Sequence, residues 1–357
     1  MASVLKRIYD KIFHVYDRRD TAEWEHEPVA GRPIYGVYHV MCDTGWERLV
    51  ARQVATLKQS RLLDATTTLF VSVIAKDKAD VERLREMIGS GRMKIISCVD
   101  TPTRYEYPAL EHVKRLADSE DCMIYNFHKK GISNQAVNSN DATFRSFRRK
   151  IDAWTEMLEY FIFTKWRVAV NALAAGYDTY GCYRWPPRNY TMFSGNFWWV
   201  SATFARTLPD FSEEVTRADR FYSEVWLFQE PNNVFSPFES VVDLYFVRIP
   251  RSVYASAEPP LKDRLAFAMT YNWRKLLKHA FGYNYKKNCQ KRFQKLKHEL
   301  KYMLFHGSFA KNTEYLYYFC NMGAYYASGR NAFEFYRLAD FKSGMKSKSI
   351  IFYNILL

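Results

Sequence analysis

No stretch of the chain approaches the roughly 18–20 uninterrupted apolar residues that a membrane-spanning helix needs. The longest candidates, residues 161–163 and the tail at 350–357, are far too short. The amino terminus lacks an apolar core followed by a small-residue cleavage site, so no secretory leader is expected. C-x-x-C pairs are missing as well. The six cysteines (Cys42, Cys98, Cys122, Cys182, Cys289 and Cys320) lie far apart, with no paired histidine nearby. That argues against a zinc site or a disulfide framework and for a reducing, cytoplasmic setting. Glycine-rich phosphate loops are also wanting. No G-x-G-x-x-G follows the first strand-like run, where Cys42-Asp43-Thr44-Gly45 offers a single glycine, and no P-loop pattern occurs. NAD-binding Rossmann enzymes and P-loop NTPases are therefore disfavoured, leaving sugar-nucleotide transferases and methyltransferases among nucleotide users of parallel sheets. Aromatic residues, in contrast, are abundant, 17% of 357 residues within a 48% hydrophobic chain, and this excludes disorder. The length suits one large or two ordinary domains.

The net charge of +14 is unevenly placed. From Glu258 onward there are 18 Lys and Arg against 6 Asp and Glu, net +12, which leaves +2 for the first 257 residues. A nearly neutral body carries a basic C-terminal hundred, a split that separates chemistry from attachment.

Residues 1–20 place Val4, Ile8, Ile12 and Val15 at helical spacing with Lys6, Arg7 and Lys11 between them, which predicts an amphipathic helix. A polar connector with Pro28 and Pro33 follows to residue 33. Then strands and helices alternate. Strands are expected at 35–42, 67–75, 93–100 and 122–128, and helices at 46–60, 78–88 and 108–119. This order implies βαβ units and a parallel sheet. Strands this apolar are buried on both faces. In such sheets ligands bind beyond the strand carboxyl ends, so the segments of interest are Asp43–Thr44, Asp100–Arg104 and Asn126–Lys130. A long helix is predicted over 144–175. Its stripe of Phe147, Ile151, Trp154, Leu158, Phe161, Lys165, Val168 and Ala172 reads as core, and Gly176 closes it. Residues 179–185 read as a further strand, and 191–209 as a strand or turn leading into a helix.

Five pieces follow in order after that alternation: the run HKKGIS at 128–133, the pair Trp154 and Met157, Tyr177-Asp178 with Gly181, SGNFWW at 194–199, and RFYSEVWL at 220–227. The chain in this respect resembles a group of bacterial-type and viral GT-A-like glycosyltransferases, over roughly residues 34–250. The resemblance implies an α/β fold, with a GT-A-like Rossmann-type central sheet flanked by helices and a basic helical C-terminal extension. The implied organisation is an N-terminal helix and connector at 1–33, a transferase domain at 34–257 and the extension at 258–357. The implied chemistry is displacement at the anomeric carbon of a nucleoside diphosphate sugar by an acceptor hydroxyl of a glycan or glycoconjugate.

GT-A enzymes usually hold a dication on an Asp-x-Asp at the end of a central strand. Here that place reads Asn126-Phe127-His128, followed by Lys129 and Lys130. Two readings stand. Asn126 and His128 would form part of a weaker Mn²⁺ or Mg²⁺ site. Alternatively, with no metal required, the lysines stabilise the charge growing on the leaving diphosphate; this second reading is the favoured one. Asp43, Thr44 and Asp100 would hold the nucleoside, with His128, Lys129 and Lys130 facing the diphosphate. In SGNFWW, Gly195 lets the backbone approach a ligand and Asn196 offers hydrogen bonds. Trp198 and Trp199 are expected as aromatic walls for a sugar. Glu224, set among apolar neighbours on a helix with Phe221, Val225 and Phe228, is the expected base of an inverting transfer. Asp219 is the runner-up.

Beyond the body, 261–281 and 286–305 are expected as two amphipathic helices with basic polar sides, and 312–328 and 330–341 as tyrosine-rich helices. Two readings stand for them in a cytoplasmic protein: an appendage packed on the body with a solvated basic face, or peripheral attachment to an anionic membrane surface. Nucleic acid is disfavoured, for no recognition motif is visible. The rival from another class is a non-enzymatic nucleic-acid- or membrane-surface-binding protein on a degenerate transferase fold.

Overall fold

A computed structural model describes residues 14–284 except 30, 44, 90, 101–103, 130–141, 188 and 213–220. It also describes residue 288 and three backbone strand segments, 318–320, 323–326 and 351–353. The chain divides into two compact units, Met1–Ala136 with Lys150–Tyr271, and Val137–Arg149 with Asn272–Leu357.

The first unit is built on a seven-stranded sheet. Its strands are β2 (Ile34–Met41), β3 (Thr68–Ile74), β4 (Met93–Val99), β5 (Met123–His128), β6 (Thr179–Tyr180), β9 (Trp198–Ser201) and β10 (Val234–Phe235). They lie in the order β10-β6-β9-β5-β2-β3-β4. Only β9 runs against its neighbours; the β2–β3, β3–β4, β2–β5 and β6–β10 pairs are parallel. This is the α/β architecture expected from the sequence, a mostly parallel, Rossmann-type central sheet flanked by helices. From β2 the chain winds outward through β3 to β4, then returns to place β5 on the other side of β2. The switch point of the sheet therefore lies between β2 and β5, where open α/β sheets bind their ligands.

The helices follow their apolar periodicity. Helix α1 (Trp46–Gln59) buries Trp46, Leu49, Val50, Gln53, Val54 and Leu57, one stripe at three- and four-residue spacing. Helix α2 (Lys78–Ile88) is capped by the Asp77 carboxylate, which accepts from the Ala79 N–H at 2.9 Å. Helix α3 (Tyr107–Ser119) carries a proline in its first turn and buries Leu110, Val113, Leu116 and Ala117 against the sheet. Within β2, a Cβ at Gly36 would meet the Tyr125 ring and a Leu69 methyl at about 2.5 Å, so only glycine lets Tyr125 cross that strand.

Three local expectations are corrected. The long helix is interrupted: α4 (Ala142–Glu159) gives way to a π-helical turn at Tyr160–Thr164 before α5 (Trp166–Ala174). Tyr160, Phe161, Ile162 and Phe163 are consecutive and all buried, which no single α-helical face can achieve. The wider turn, closed by the Lys165 N–H on the Tyr160 carbonyl at 3.0 Å, accommodates them. The run 179–185 splits into β6 and β7 (Arg184–Trp185). The latter forms a hairpin with β8 (Met192–Phe193) that leads into the turn at 194–196. At the amino end, the expected helix over 1–20 lies outside the described residues up to 13. Residues Tyr16–Arg18 are instead a strand, β1, antiparallel to β11 (Phe238–Ser240). Val15 is buried beside them, and the Ser240 hydroxyl donates to its carbonyl at 2.6 Å.

Helix α6 (Leu261–Phe281) forms where expected. The predicted helix at 286–305 lies outside the described residues apart from residue 288, as does all of 330–341. Within 312–328 the backbone forms strands Tyr318–Cys320 and Gly323–Tyr326, paired antiparallel, with Ile351–Tyr353 alongside the second. Aromatic runs of this kind suit a strand better than a helix.

Candidate active site

Polar side chains gather at the carboxyl ends of β2 and β5. His39 and His128 are register partners across that pair, and the Lys129 N–H donates to the His39 carbonyl at 3.2 Å. His39 is buried. Desolvation holds its imidazole down to about 4; the Glu106 charge opposes this, and His128 and Lys129 reinforce it. These four groups thus sense one another across the switch point.

Lys129 is turned inward. Its side chain is 2% exposed and its ammonium donates to the Asp43 carboxylate and the Met41 carbonyl. Burial pulls its pKa down, and Asp43 opposes that shift. The expected role of Lys129 as a donor facing the diphosphate is therefore corrected: a buried ammonium needs a compensating charge, and Asp43 supplies it. Asp43 is correspondingly engaged with Lys129. Thr44, Lys130 and Asp219 lie outside the described residues. Asp100 is exposed beyond the end of β4.

The turn after β8 is held from several sides. Gly195 (φ 101°) and Asn196 (φ 56°) are both left-handed. Glycine and asparagine reach that region at least cost. Three successive carbonyls of the turn each accept from a distant side chain. Trp154 Nε1 donates to Ser194 O at 3.3 Å, His128 Nε2 to Gly195 O at 2.8 Å, and Asn126 Nδ2 to Asn196 O at 3.1 Å. The Asn196 side chain is equally engaged. Its Nδ2 donates to Glu106 Oε2 at 2.8 Å, and its Oδ1 accepts from Trp198 Nε1 at 2.7 Å. The other oxygen of Glu106 lies 3.5 Å from His128 Nδ1.

Asn126, His128, Gly195 and Asn196 are thus one hydrogen-bonded cluster. Glu106 was not foreseen: it sits just before α3, where an acidic residue reads simply as a partner of the helix dipole. Trp198 and Trp199 are corrected. Their rings are 1% and 0% exposed, because β9 lies inside the sheet with both faces covered. Trp199 donates to the Ile162 carbonyl at 3.0 Å, and Trp198 packs beside Trp226. They are core rather than walls of a cleft.

Glu224 lies in the short turn Tyr222–Val225 and is half-buried, whereas Phe221, expected on its apolar face, is exposed. Burial raises the Tyr245 hydroxyl pKa, and the Glu224 charge adds to that shift. Tyr245 meets the edge of Trp154 at 4.9 Å, and Trp154 in turn holds Ser194.

The described donors do not fit a hard dication at Asn126 and His128. Asn126 Nδ2 donates to the Asn196 carbonyl and His128 Nε2 to the Gly195 carbonyl, so the imidazole is not free to ligate. The carboxylates that meet this strand end, Glu106 and Asp43, are engaged by Asn196, His128 and Lys129, whereas such ions want free oxygen ligands. Among the described residues no group of three or more His, Cys, Asp and Glu is placed to hold a metal ion.

The sequence matches no family model and no curated protein. Similar solved structures include a mannosyltransferase from Pyrobaculum calidifontis in complex with GDP-Man and Mn²⁺. It is 13% identical, with 82% of this chain and 93% of that one covered at a TM-score of 0.37. Another is 4-diphosphocytidyl-2C-methyl-D-erythritol synthase from Anaerococcus prevotii DSM 20548. It is 6% identical, with 68% of this chain and all of that one covered at a TM-score of 0.33. At such scores neither transfers a residue or a ligand to this chain.

Proposed function

We propose that the chain is a glycosyltransferase that moves a sugar from a nucleoside diphosphate donor to an acceptor hydroxyl of a glycan or glycoconjugate. The observation that carries this reading is the gathering of Glu106, His128, Gly195 and Asn196 at the switch point of a GT-A-like sheet. Glu224 accepts the proton of the acceptor hydroxyl, whose oxygen forms the new bond to the anomeric carbon. The bond from that carbon to the diphosphate breaks on the opposite side, and its electron pair leaves with the nucleoside diphosphate. His128 and Lys130 receive the departing charge, Lys129 being committed to Asp43. No step is routed through a metal ion. The test is hydrolysis and thermal shift against UDP, GDP, TDP and their sugars, with and without Mn²⁺. At least one donor should stabilise the protein and turn over slowly. Glu224→Gln should lower transfer by roughly 10²–10⁴-fold while donor binding persists. A protein inert to the whole panel would favour the non-enzymatic rival.

We further propose that the basic C-terminal region attaches the protein to an anionic membrane surface at its cytoplasmic side. Helix α6 supports this, since Met269, Trp273 and Leu276 are one stripe and all are exposed, with Arg274, Lys275 and Lys278 beside them. Among the described residues no helix is long and apolar enough to cross a membrane.

A further inference from the structure

We infer that Glu106 is the positioning residue of the site: its carboxylate fixes both the His128 ring and the Ser194–Asn196 turn. The link to catalysis rests on the function proposed above; the clamp itself does not.

Glu106 is the one carboxylate in the described network with an oxygen toward each of two separate elements. Oε2 accepts from Asn196 on the turn and Oε1 faces His128 at the end of β5. Each partner is then committed at its far side. His128 Nε2 holds the Gly195 carbonyl, and Asn196 Oδ1 holds the Trp198 indole. The turn needs such fixing, because Gly195 and Asn196 are consecutive left-handed residues. Left-handed backbone persists at a non-glycine residue when surrounding contacts over-determine it. Charge-assisted bonds from a partly buried carboxylate are the strong ones available for that purpose. Glu106 itself is placed by rigid structure, immediately ahead of α3, whose first residue Tyr107 is fully buried. The position of the turn relative to the strand ends is thereby referred to the helix and the sheet together.

The experiment compares the wild type with Glu106→Ala and Glu106→Gln in the full chain. Hydrogen exchange is read at the turn, where the Ser194 N–H donates to Tyr183 O at 2.9 Å and the Asn196 N–H to Phe193 O at 3.0 Å. Alanine removes the hydrogen bond to Asn196 and the 3.5 Å contact with His128, so exchange over 193–198 should quicken by roughly 10–100-fold while β3 amides keep their rates. Glutamine still presents a carbonyl oxygen to Asn196 and should restore most of that protection. It places an amide donor or a neutral oxygen, not a carboxylate, before His128. With the donor found in the panel above, both variants should lose about 10-fold or more in kcat, with donor KM moved less than about threefold. Unchanged exchange at the turn in the alanine variant, or loss of protection throughout the sheet, overturns the clamp. Unchanged kcat in both variants overturns the positioning role and leaves the proposed function standing. If the wild type turns over no donor, the proposed function fails, and the exchange pattern decides the clamp by itself.

Discussion

Replacing Asp43 by asparagine keeps the size of the side chain and removes the charge that faces the buried Lys129 ammonium. Breaking a buried pair from one side costs roughly 3–5 kcal/mol. A ceiling follows from the proton. A lysine left without its partner can fold neutral, and releasing a proton at pH 7 from a group with the ordinary value of 10.5 costs about 4.8 kcal/mol at about 1.36 kcal/mol per unit. The Asp43 side chain is 30% exposed, so water partly replaces it. The expected loss at pH 7 is therefore about 2–4 kcal/mol. The sign of its pH dependence follows. In the variant the unfolded chain carries a proton on Lys129 that the folded chain sheds. Stability must accordingly rise with pH between 7 and 9, by up to about 1.4 kcal/mol per unit relative to wild type. Lys129→Met should behave oppositely. It removes the buried charge, and the Met41 carbonyl still accepts the Asp43 N–H at 3.0 Å. Its stability should stay within about 1 kcal/mol of wild type, with or without Asp43→Asn. Guanidinium unfolding at pH 7, 8 and 9 measures all four proteins. An Asp43→Asn variant as stable as wild type at pH 7, or a deficit that does not shrink as pH rises, would refute the inward placement of the ammonium.

Three further outcomes are expected. His39 is buried neutral with its value held at about 4, below the unfolded 6.5. The unfolded chain thus gains a proton first, and stability is lost as pH falls from 6.5 towards 4, by about 3 kcal/mol in total. His39→Gln should flatten that slope in unfolding curves between pH 7 and 5. Trp198→Ala should cost about 3–5 kcal/mol in chemical denaturation, the price of an emptied core site; a loss of less than about 1 kcal/mol would contradict its burial. Binding to vesicles of anionic lipid should weaken steeply between low and physiological salt, with screening over about 8–10 Å. Trp273→Glu with Met269→Glu should abolish it, whereas binding indifferent to salt and to lipid charge would leave α6 without that role.

The βαβ alternation, the amphipathic faces of α1 and α3 and the carboxyl-end segments at Asp43, Asp100 and Asn126 were legible from residue order alone. Each depends on periodicity within about a dozen residues, and burying an apolar stripe admits few alternatives. The SGN turn was legible for the same local reason, since Gly195 and Asn196 are the residue types that take a left-handed backbone cheaply. Tertiary structure decided the rest. An all-apolar run does not say whether its aromatic rings face a ligand or a core, and only the insertion of β9 between β5 and β6 buried Trp198 and Trp199. Lys129 beside Lys130 reads as a basic turn until the fold brings Asp43, just past the carboxyl end of the neighbouring strand β2, against its ammonium. Glu106, His128, Asn196 and Trp154 share no spacing, because they lie on four segments whose meeting is a property of strand order. Hydrogen bonds act over about 3 Å in space, and their pattern in the chain is set by the topology that closes that distance.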